Sequence, residues 1–307
     1  MTGEQTAAGP KRAVSLRRSY LFLPGADAEA LRNGPASGAD VLIQELEDFT
    51  PPQRLPEARA LAPSVLAAWR AAGAVAAVRI NPFGRGGEAD LAAVMRGRPD
   101  VVALPKVAEP AQIAALDRAI AEQEERLGIA PGTTEILPNI ELARGLIQTG
   151  AIARASPRVK ACLVASEDMA ADLGAERGRD GMELAYVRAR FLVECVAAGV
   201  VAVDCPYTFA DAEGVEAETR QARRLGYRSK SCVAPAHAGI INRVLTPAPD
   251  EVAQARRIID AFEDARARGL DRVEVDGSLV EVPTYLNAKR LVARAEALAA
   301  ADGTRPT

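Results

Sequence analysis

Glu135-Ile-Leu-Pro-Asn-Ile140 is a short apolar run that ends directly before Glu141, and Val159-Lys-Ala-Cys-Leu-Val-Ala165 is a second such run, followed by Ser166-Glu-Asp168. Each run has the length and composition of a buried β-strand. A carboxylate at the end of a buried strand is costly to desolvate unless it meets a cation. Two such carboxylates, Glu141 and Asp168, at the ends of successive strands therefore predict a site for a divalent metal ion.

The alternation of apolar run and amphipathic helix recurs along the whole chain. Eight predicted strands lie at Tyr20–Leu23, Val41–Leu46, Val75–Ile80, Val101–Leu104, Ile136–Ile140, Ala161–Ala165, Val200–Val203 and Arg228–Val233. Their nearly continuous Val, Ile, Leu and Ala composition is typical of a parallel sheet covered by helices. Eight β/α units predict an α/β fold of the TIM (β/α)8 barrel type, with a doubly wound sheet as the alternative.

The repeats define the expected domains. The barrel is predicted over residues 17–245, and a C-terminal helical extension over residues 246–301, with a hairpin around Asp276-Gly277. About 60 residues rarely hold an independent core, so we expect the extension to pack on the barrel or on a neighbouring subunit. Residues 1–16 and 302–307 are expected to be disordered tails.

Composition excludes several classes of function. With 41 acidic and 38 basic residues the net charge is -3, so there is no electrostatic case for binding nucleic acid. A single histidine and four cysteines without a Cys-x-x-Cys pair argue against a zinc site built from those residues. Residues 1–18 lack the apolar core of a signal peptide, and no apolar run elsewhere is long enough to span a membrane, so we expect a cytoplasmic protein with reduced thiols.

Ionisable residues follow most of the predicted strands. In a barrel the residues just past each strand share one end, and active sites lie there. The residues concerned are Glu47, Asp48, Arg79, Lys106, Glu141, Asp168 and Asp204. Oxygen ligands without histidine or cysteine favour Mg²⁺, with Mn²⁺ as the alternative metal, and Mg²⁺ commonly takes one or two protein carboxylates. Glu141 and Asp168 are the predicted metal ligands, although an ion pair of Glu141 with Arg144 is the plain structural alternative.

The cations have functional and structural interpretations. The planar fork of Arg79 suits a substrate carboxylate, or alternatively an ion pair with Glu47 or Asp48. Lys106 either forms a Schiff base or acts as a charged neighbour that contacts substrate. Arg18 precedes the first strand and either meets a substrate phosphate or forms a basic flank. His237 either relays protons or lies in a surface loop.

The motifs together resemble a known family. They are Arg17-Arg-Ser-Tyr-Leu-Phe-Leu-Pro-Gly25, Leu46-Glu-Asp48, Arg79-Ile-Asn81, Leu104-Pro-Lys106, Ile140-Glu-Leu-Ala-Arg-Gly145 and Ser166-Glu-Asp-Met-Ala-Ala-Asp-Leu-Gly174. Their order and spacing resemble the citrate lyase β-subunit-like family of the HpcH/HpaI aldolase group. The resemblance covers roughly residues 17 to 298.

The resemblance implies a Mg²⁺-dependent barrel that cleaves or forms a carbon–carbon bond in 3-hydroxyacyl-CoA thioesters of the malyl-, citramalyl- or citryl-CoA type. It maps the metal ligands onto Glu141 and Asp168 and the substrate-carboxylate arginine onto Arg79, and it implies a homotrimer or hexamer. Two departures stand out. Gln44-Glu-Leu-Glu-Asp-Phe49 replaces the usual Leu-Asp-Leu-Glu-Asp-Ala, and Val233-Ala-Pro235 replaces the usual Ile-His-Pro.

The predicted reaction is a retro-Claisen or retro-aldol cleavage. Mg²⁺ acts as Lewis acid, Arg79 orients the carboxylate, and the general base is Glu47, Asp48 or a metal-bound water. Three rival hypotheses accompany it. The first is a metal-dependent aldolase of free 4-hydroxy-2-oxo acids, the second is a Schiff-base aldolase on Lys106, and the third is a non-catalytic subunit of a citrate lyase-like complex.

Overall fold

The structure is a computed structural model that describes residues 11–303. The chain forms two compact units, which meet in sequence between Leu245 and Thr246.

Eight strands build the first unit. They are β1 Ser19–Pro24, β2 Val41–Glu45, β3 Val75–Arg79, β4 Val101–Leu104, β5 Glu135–Ile140, β6 Ala161–Val164, β7 Val201–Asp204 and β8 Ser229–Cys232. Each strand pairs in parallel with the next, and β1 pairs with both β2 and β8, for example Tyr20 with Val41 and with Ser231. The sheet is therefore a closed barrel in the order β1 to β8. The TIM barrel prediction is confirmed, and the doubly wound alternative is wrong.

Ten helices accompany these strands. They are α1 Ala28–Asn33, α2 Leu55–Ala71, α3 Gly87–Val94, α4 Pro110–Leu127, α5 Ala143–Leu146, α6 Thr149–Ala153, α7 Glu167–Leu173, α8 Ala185–Ala198, α9 Ala212–Leu225 and α10 Pro235–Leu245. Short 3-10 turns lie at Val14–Leu16, Gly34–Ser37, Pro52–Arg54, Met95–Gly97 and Met182–Leu184.

Helix α4 illustrates how the sequence sets these elements. It begins with Pro110 at its first position, and the Gln112 side chain accepts hydrogen bonds from the amides of Ala108 and Glu109 at 2.8 and 3.1 Å. Apolar residues at helical spacing, including Ile113 and Ile120, are buried against the barrel.

The single tryptophan of the chain anchors another contact of the first unit. Trp69 on α2 is 1% exposed, and its indole nitrogen donates a hydrogen bond to the carbonyl of Leu31 at 2.8 Å. It ties α2 to α1, because a buried indole N–H needs a partner.

Alternate residues of each strand face opposite sides of the barrel wall. Phe22, Ile43, Ala77, Leu163 and Val203 belong to the cluster that fills the barrel interior. Their neighbours along the strands pack in the layer between strands and helices. The same alternation decides whether a charged side chain at the end of a strand faces the barrel interior or the layer between strands and helices.

The second unit contains two long helices and a hairpin. They are α11 Pro249–Ala267, the strands β9 Val273–Val275 and β10 Ser278–Val280, and α12 Val282–Gly303. Strands β9 and β10 pair in antiparallel orientation across Asp276-Gly277. Within this unit the rings of Phe262 and Tyr285 stack with their centroids 4.8 Å apart.

The predicted tails are partly wrong. Residues 1–10 and 304–307 lie outside the described part of the chain. Residues 11–16, by contrast, include a 3-10 turn, and Arg12 is buried with its Nε donating to the carbonyl of Leu16 at 3.0 Å. Residues 302 and 303 continue helix α12. The polar composition of these stretches had suggested disorder, but local hydrogen bonds order them.

In the part of the chain that the structure describes, we find no helix with the length and apolarity needed to cross a bilayer.

Candidate active site at the carboxyl end of the barrel

A cavity of about 340 Å³ lies at the carboxyl end of the barrel strands. Its charged lining residues are Asp48, Arg79, Glu141, Glu167 and Asp168, and its polar ones are Ser166, Thr208 and Ser231. The apolar lining residues are Phe22, Phe49, Leu163, Ala165, Pro206 and Val233. The cavity thus combines several acidic groups with an apolar wall.

Arg79, the last residue of β3, lies among carboxylates. Its Nε donates to Glu45 Oε1 at 2.9 Å, and its Nη1 lies 3.4 Å from Glu141 Oε1. Its Nη2 lies 3.3 Å from Glu47 Oε2. The ion pair with Glu47 that the sequence offered as an alternative is therefore present, and Arg79 holds three acidic side chains together.

Glu141 directly follows β5 and is fully buried. Its Oε2 accepts a hydrogen bond from the amide of Lys106 at 3.0 Å. Arg144, its suggested partner, pairs with Glu109 at 3.0 Å instead. Burial raises the pKa of Glu141 to about 8, since the negative charges of Asp168 and Glu47 add to desolvation and Arg79 only partly offsets them.

Lys106 joins the backbone of its loop to the acidic groups. Its φ of 52° is left-handed, which is uncommon for a residue with a side chain. This conformation lets the amide reach Glu141 while the ammonium contacts Glu47 and lies 3.4 Å from Asp48 Oδ1 and 4.0 Å from Asp168 Oδ1. Burial lowers the pKa of Lys106, but the hydrogen bond and charge of Glu47 outweigh it and raise the pKa overall.

Asp168 lies in the first turn of α7 and lines the same cavity as Glu141. Its neighbour Glu167 is engaged elsewhere, since it accepts hydrogen bonds from Arg177 at 3.0 Å and from Thr208 at 2.7 Å. We use the name open cluster for Glu45, Glu47, Asp48, Arg79, Lys106, Glu141 and Asp168. It contains all the residues predicted to bind metal, to bind substrate or to act in catalysis, except one.

The exception is Arg18, whose predicted contact with substrate is wrong for this cavity. Arg18 precedes β1 and so lies at the amino end of the barrel strands, opposite the cavity. It is buried, and its Nε and Nη2 donate to the two oxygens of Asp40 at 2.9 and 3.1 Å. His237 also departs from its surface-loop interpretation, since it is buried in α10.

Glu45 is a site residue that sequence reasoning missed. It is buried at the end of β2, and its carboxylate accepts hydrogen bonds from the amides of Glu47 at 2.6 Å and Phe49 at 2.5 Å. It therefore fixes the loop that carries Glu47, Asp48 and Phe49. The sequence feature that could have identified Glu45 is its two-residue spacing from Ile43, which puts both side chains on the interior side of β2.

A second set of charges lies between the strands and the helices. Asp204 follows the interior residue Val203 and faces outward, so it does not join the cavity as its position at a strand end had suggested. It accepts hydrogen bonds from Arg188 Nε and from Lys230 Nζ, both at 2.8 Å. Lys230 also donates to Glu218 at 2.5 Å. We use the name closed cluster for Arg188, Asp204, Glu218 and Lys230, all of which are buried.

Three residues whose side chains could bind a metal also lie close together in this region. Among residues 11–303, the one such set with donor atoms within 4.8 Å of one another is Asp204, Cys205 and Glu218. The ammonium of Lys230 contacts both carboxylates and Arg188 pairs with Asp204, so two cations of the chain itself already neutralise them.

Comparison with known proteins agrees with this fold. The chain is 32% identical to the citrate lyase subunit beta of Leuconostoc mesenteroides subsp. cremoris, with 92% of this chain and 94% of that protein covered. It is 31% identical to the (3S)-malyl-CoA thioesterase of Cereibacter sphaeroides, with 92% and 96% covered.

Among solved structures, the chain is similar to protein CitE from Mycobacterium tuberculosis in complex with magnesium, acetoacetate and coenzyme A. The TM-score is 0.76 at 28% identity, over 91% of this chain and 98% of that chain. Residues 18–235 match the model of one family, described as HpcH/HpaI aldolase/citrate lyase. With its barrel and its acidic cavity, the chain belongs to the HpcH/HpaI aldolase/citrate lyase family.

Proposed function

We propose that this protein is a Mg²⁺-dependent carbon–carbon lyase that cleaves 3-hydroxyacyl-CoA thioesters into an acyl-CoA and a 2-oxo acid. The observation that carries the proposal is the charge imbalance of the open cluster. It holds five carboxylates and two cations, which leaves a surplus of three negative charges when all are ionised. Relatives that act on or bind CoA compounds support the choice of substrate class.

The donor set suits Mg²⁺. Glu141 is fully buried, and desolvation, together with the negative charges of Asp168 and Glu47, raises the pKa of its carboxyl group to about 8 despite Arg79. Glu141 and Asp168 line one cavity and offer oxygen ligands, which hard cations prefer. We infer that these two residues hold the metal. When bound, Mg²⁺ supplies Lewis-acid polarisation of the substrate hydroxyl and carboxylate.

The other residues of the open cluster position the substrate. Arg79 has a planar fork beside Glu141 and orients the carboxylate of the fragment that is cleaved off. Lys106 holds Glu47 in place, while Asp48 lines the cavity. Of the predicted bases we favour Asp48, because its side chain lines the cavity and is 47% exposed, whereas that of Glu47 is 6% exposed and lies closer to both Lys106 and Arg79.

The cleavage step balances without an oxidant or reductant. Asp48 takes the hydroxyl proton from C3, and the C3–O bond becomes the carbonyl of the 2-oxo acid. The C2–C3 bond breaks, and its electron pair stays on C2 as the enolate of the thioester. C2 then takes a proton from water, which gives the acyl-CoA product, and Asp48 releases the hydroxyl proton to water.

The test is cleavage of malyl-, citramalyl- and citryl-CoA by the purified chain, with Mg²⁺ and with EDTA. We expect Asp168→Ala to lower kcat/KM by a factor on the order of 10³, about 4 kcal/mol of transition-state stabilisation. The matched control is Asp172→Ala on the same helix, since Asp172 accepts a hydrogen bond from the amide of Ala143 and does not line the cavity. Full activity of Asp168→Ala, or activity that survives EDTA, contradicts the proposal.

The same assay separates the rival enzymes. A Schiff-base aldolase on Lys106 predicts activity in EDTA, but the ion pairs of Lys106 with Glu47 and Asp48 keep its amine protonated and poorly nucleophilic. An aldolase of free 4-hydroxy-2-oxo acids predicts Mg²⁺-dependent turnover without coenzyme A.

A second candidate is a subunit that acts only within a larger lyase complex. The similarity to a citrate lyase subunit beta favours it. Activity of the purified chain alone excludes this candidate, and inactivity that an acyl-carrier partner restores supports it.

We also propose a homotrimer or hexamer in the cytoplasm. On and just before α8, four apolar side chains at helical spacing are 66–75% exposed, namely Met182, Tyr186, Val193 and Val196. Such a stripe favours contact between copies, and light scattering after gel filtration measures the assembly. All four cysteines are free and buried, which is consistent with a reducing compartment.

A further inference from the structure

We infer that the cavity selects thioesters whose C3 carries hydrogen or a small alkyl group in place of a carboxymethyl group, and that Phe49 sets the size of that group. This inference rests on the proposed function and narrows it to substrates that release a monocarboxylic 2-oxo acid. Malyl- and citramalyl-CoA belong to this class, and citryl-CoA does not.

The first argument is the number of cations. Among the described residues that line the cavity, Arg79 is the one cation, beside the four acids Asp48, Glu141, Glu167 and Asp168. The ammonium of Lys106 lies next to the cavity, but it contacts Glu47 and lies 3.4 Å from Asp48 Oδ1. One substrate carboxylate uses Arg79. The carboxylate of a carboxymethyl group on C3 would meet acidic or apolar neighbours, and burying an unpaired charge is costly.

The second argument concerns the hydroxyl groups of the lining. Ser231 donates its hydroxyl proton to the carbonyl of Asp204 at 2.9 Å, and Ser166 donates to the carbonyl of Pro206 at 3.4 Å. Thr208 donates to Glu167 at 2.7 Å. The hydroxyls of Ser231 and Thr208 thus already have acceptors within the chain, so each would have to give up a hydrogen bond to donate to a second substrate carboxylate.

The third argument is the apolar wall beside Arg79. The guanidinium carbon of Arg79 lies 5.1 Å from the ring centroid of Phe22 and 5.8 Å from that of Phe49. Leu163, Ala165 and Val233 continue this wall. A substituent on C3, next to the carboxylate that Arg79 orients, therefore faces hydrocarbon.

Phe49 is the residue of this wall best placed to limit the substituent. Its amide is anchored on Glu45 at 2.5 Å, while its side chain lines the cavity and is 40% exposed. The backbone of Phe49 is thus fixed, and the ring extends into the space that the substrate enters.

The experiment compares kcat/KM for malyl-, citramalyl- and citryl-CoA, together with calorimetric binding of pyruvate and oxaloacetate in Mg²⁺. We expect citryl-CoA to be at least about 10²-fold poorer than the better of the other two, and pyruvate to bind more tightly than oxaloacetate. Citryl-CoA as the best substrate overturns the inference and leaves the lyase intact. If no thioester is cleaved, the proposed function fails. The ratio of the dissociation constants of oxaloacetate and pyruvate still tests the inference, and tighter binding of oxaloacetate overturns it.

The role of Phe49 is tested with Phe49→Ala and Phe49→Leu. We expect the thioester with propyl in place of the methyl of citramalyl-CoA to gain about tenfold relative to citramalyl-CoA in Phe49→Ala, and less in Phe49→Leu. The control is Leu173→Ala, because Leu173 is 46% exposed but does not line the cavity. An unchanged ratio in both Phe49 variants overturns the assignment.

Discussion

The closed cluster and the open cluster lie on opposite sides of the same barrel wall and differ in how their charges are balanced. In the closed cluster, Asp204 and Glu218 meet Arg188 and Lys230, so two acids face two bases. In the open cluster, five acids face two bases. The first is neutral within the chain, and the second carries a surplus of negative charge when all its groups are ionised. The ratio of acidic to basic side chains, more than their burial, distinguishes a structural cluster of charges from a candidate functional site.

The largest effect is expected when the balance of the closed cluster is broken. Asp204→Asn leaves Arg188 and Lys230 with one fewer negative partner in a fully buried setting. We expect it to lower the free energy of unfolding by about 3–5 kcal/mol, measured by urea denaturation. The control Asp271→Asn, whose side chain is 74% exposed, should change stability by less than about 0.5 kcal/mol. A loss below about 1 kcal/mol in Asp204→Asn would mean that the closed cluster is not structural.

The next effect tests the proposal that Mg²⁺ balances the open cluster. Free Mg²⁺ at 100 times its dissociation constant should raise the free energy of unfolding by about 2.7 kcal/mol. Glu141→Gln and Asp168→Asn should lose this gain, whereas Asp204→Asn should keep it despite its lower stability. Equal stabilisation of all four proteins would contradict a metal site at Glu141 and Asp168.

A smaller effect is expected from removing one charge of the open cluster without metal. The folded pKa of Glu141 is about 8, well above its ordinary value. The fold therefore favours the protonated form, and the contribution of this group to stability is complete below about pH 4.5 and is lost as pH rises towards 8.

In EDTA, Glu141→Gln should therefore be more stable than the wild type at pH 8.5 by on the order of 2 kcal/mol. The difference should shrink at pH 5, and urea denaturation at both pH values measures it. A variant that is less stable than the wild type at pH 8.5 would show that the cluster is balanced without metal.

The smallest effect tests whether the two clusters are independent. Ser231 lines the cavity, while its hydroxyl donates to the carbonyl of Asp204. Ser231→Ala should cost about 1 kcal/mol of stability. Combined with Glu141→Gln in EDTA, the two changes should add within about 0.5 kcal/mol. A larger coupling energy would show that the clusters communicate through β8.

Much of this organisation could be predicted from the sequence. Nearly continuous apolar runs separated by helices identified all eight strands, because strands covered by helices carry few polar residues. Acidic residues after those runs predicted the neighbourhood of Glu141, Asp168, Glu47 and Asp48, since parallel strands of a barrel bring their carboxyl ends together.

The errors at Asp204 and Glu45 have one physical origin. The sequence shows roughly where a residue lies along a strand. The side of the sheet that its side chain faces alternates from residue to residue, so an error of one residue in the strand register assigns it to the wrong side. This is why Asp204 was assigned to the cavity end and why Glu45 was overlooked. Arg18 failed for a different reason, since its partner Asp40 lies in a distant loop that no local pattern connects with it.

The lone indole of the chain gives the protein an internal optical reporter. Trp69 lies on α2, and its indole donates a hydrogen bond to the carbonyl of Leu31 on α1. Both helices belong to the first unit. Its emission should shift to the red when water reaches it, so fluorescence during denaturation follows the loss of the barrel and is blind to the helices after Leu245. Circular dichroism senses both units, and a gap between the two midpoints would reveal that they melt separately.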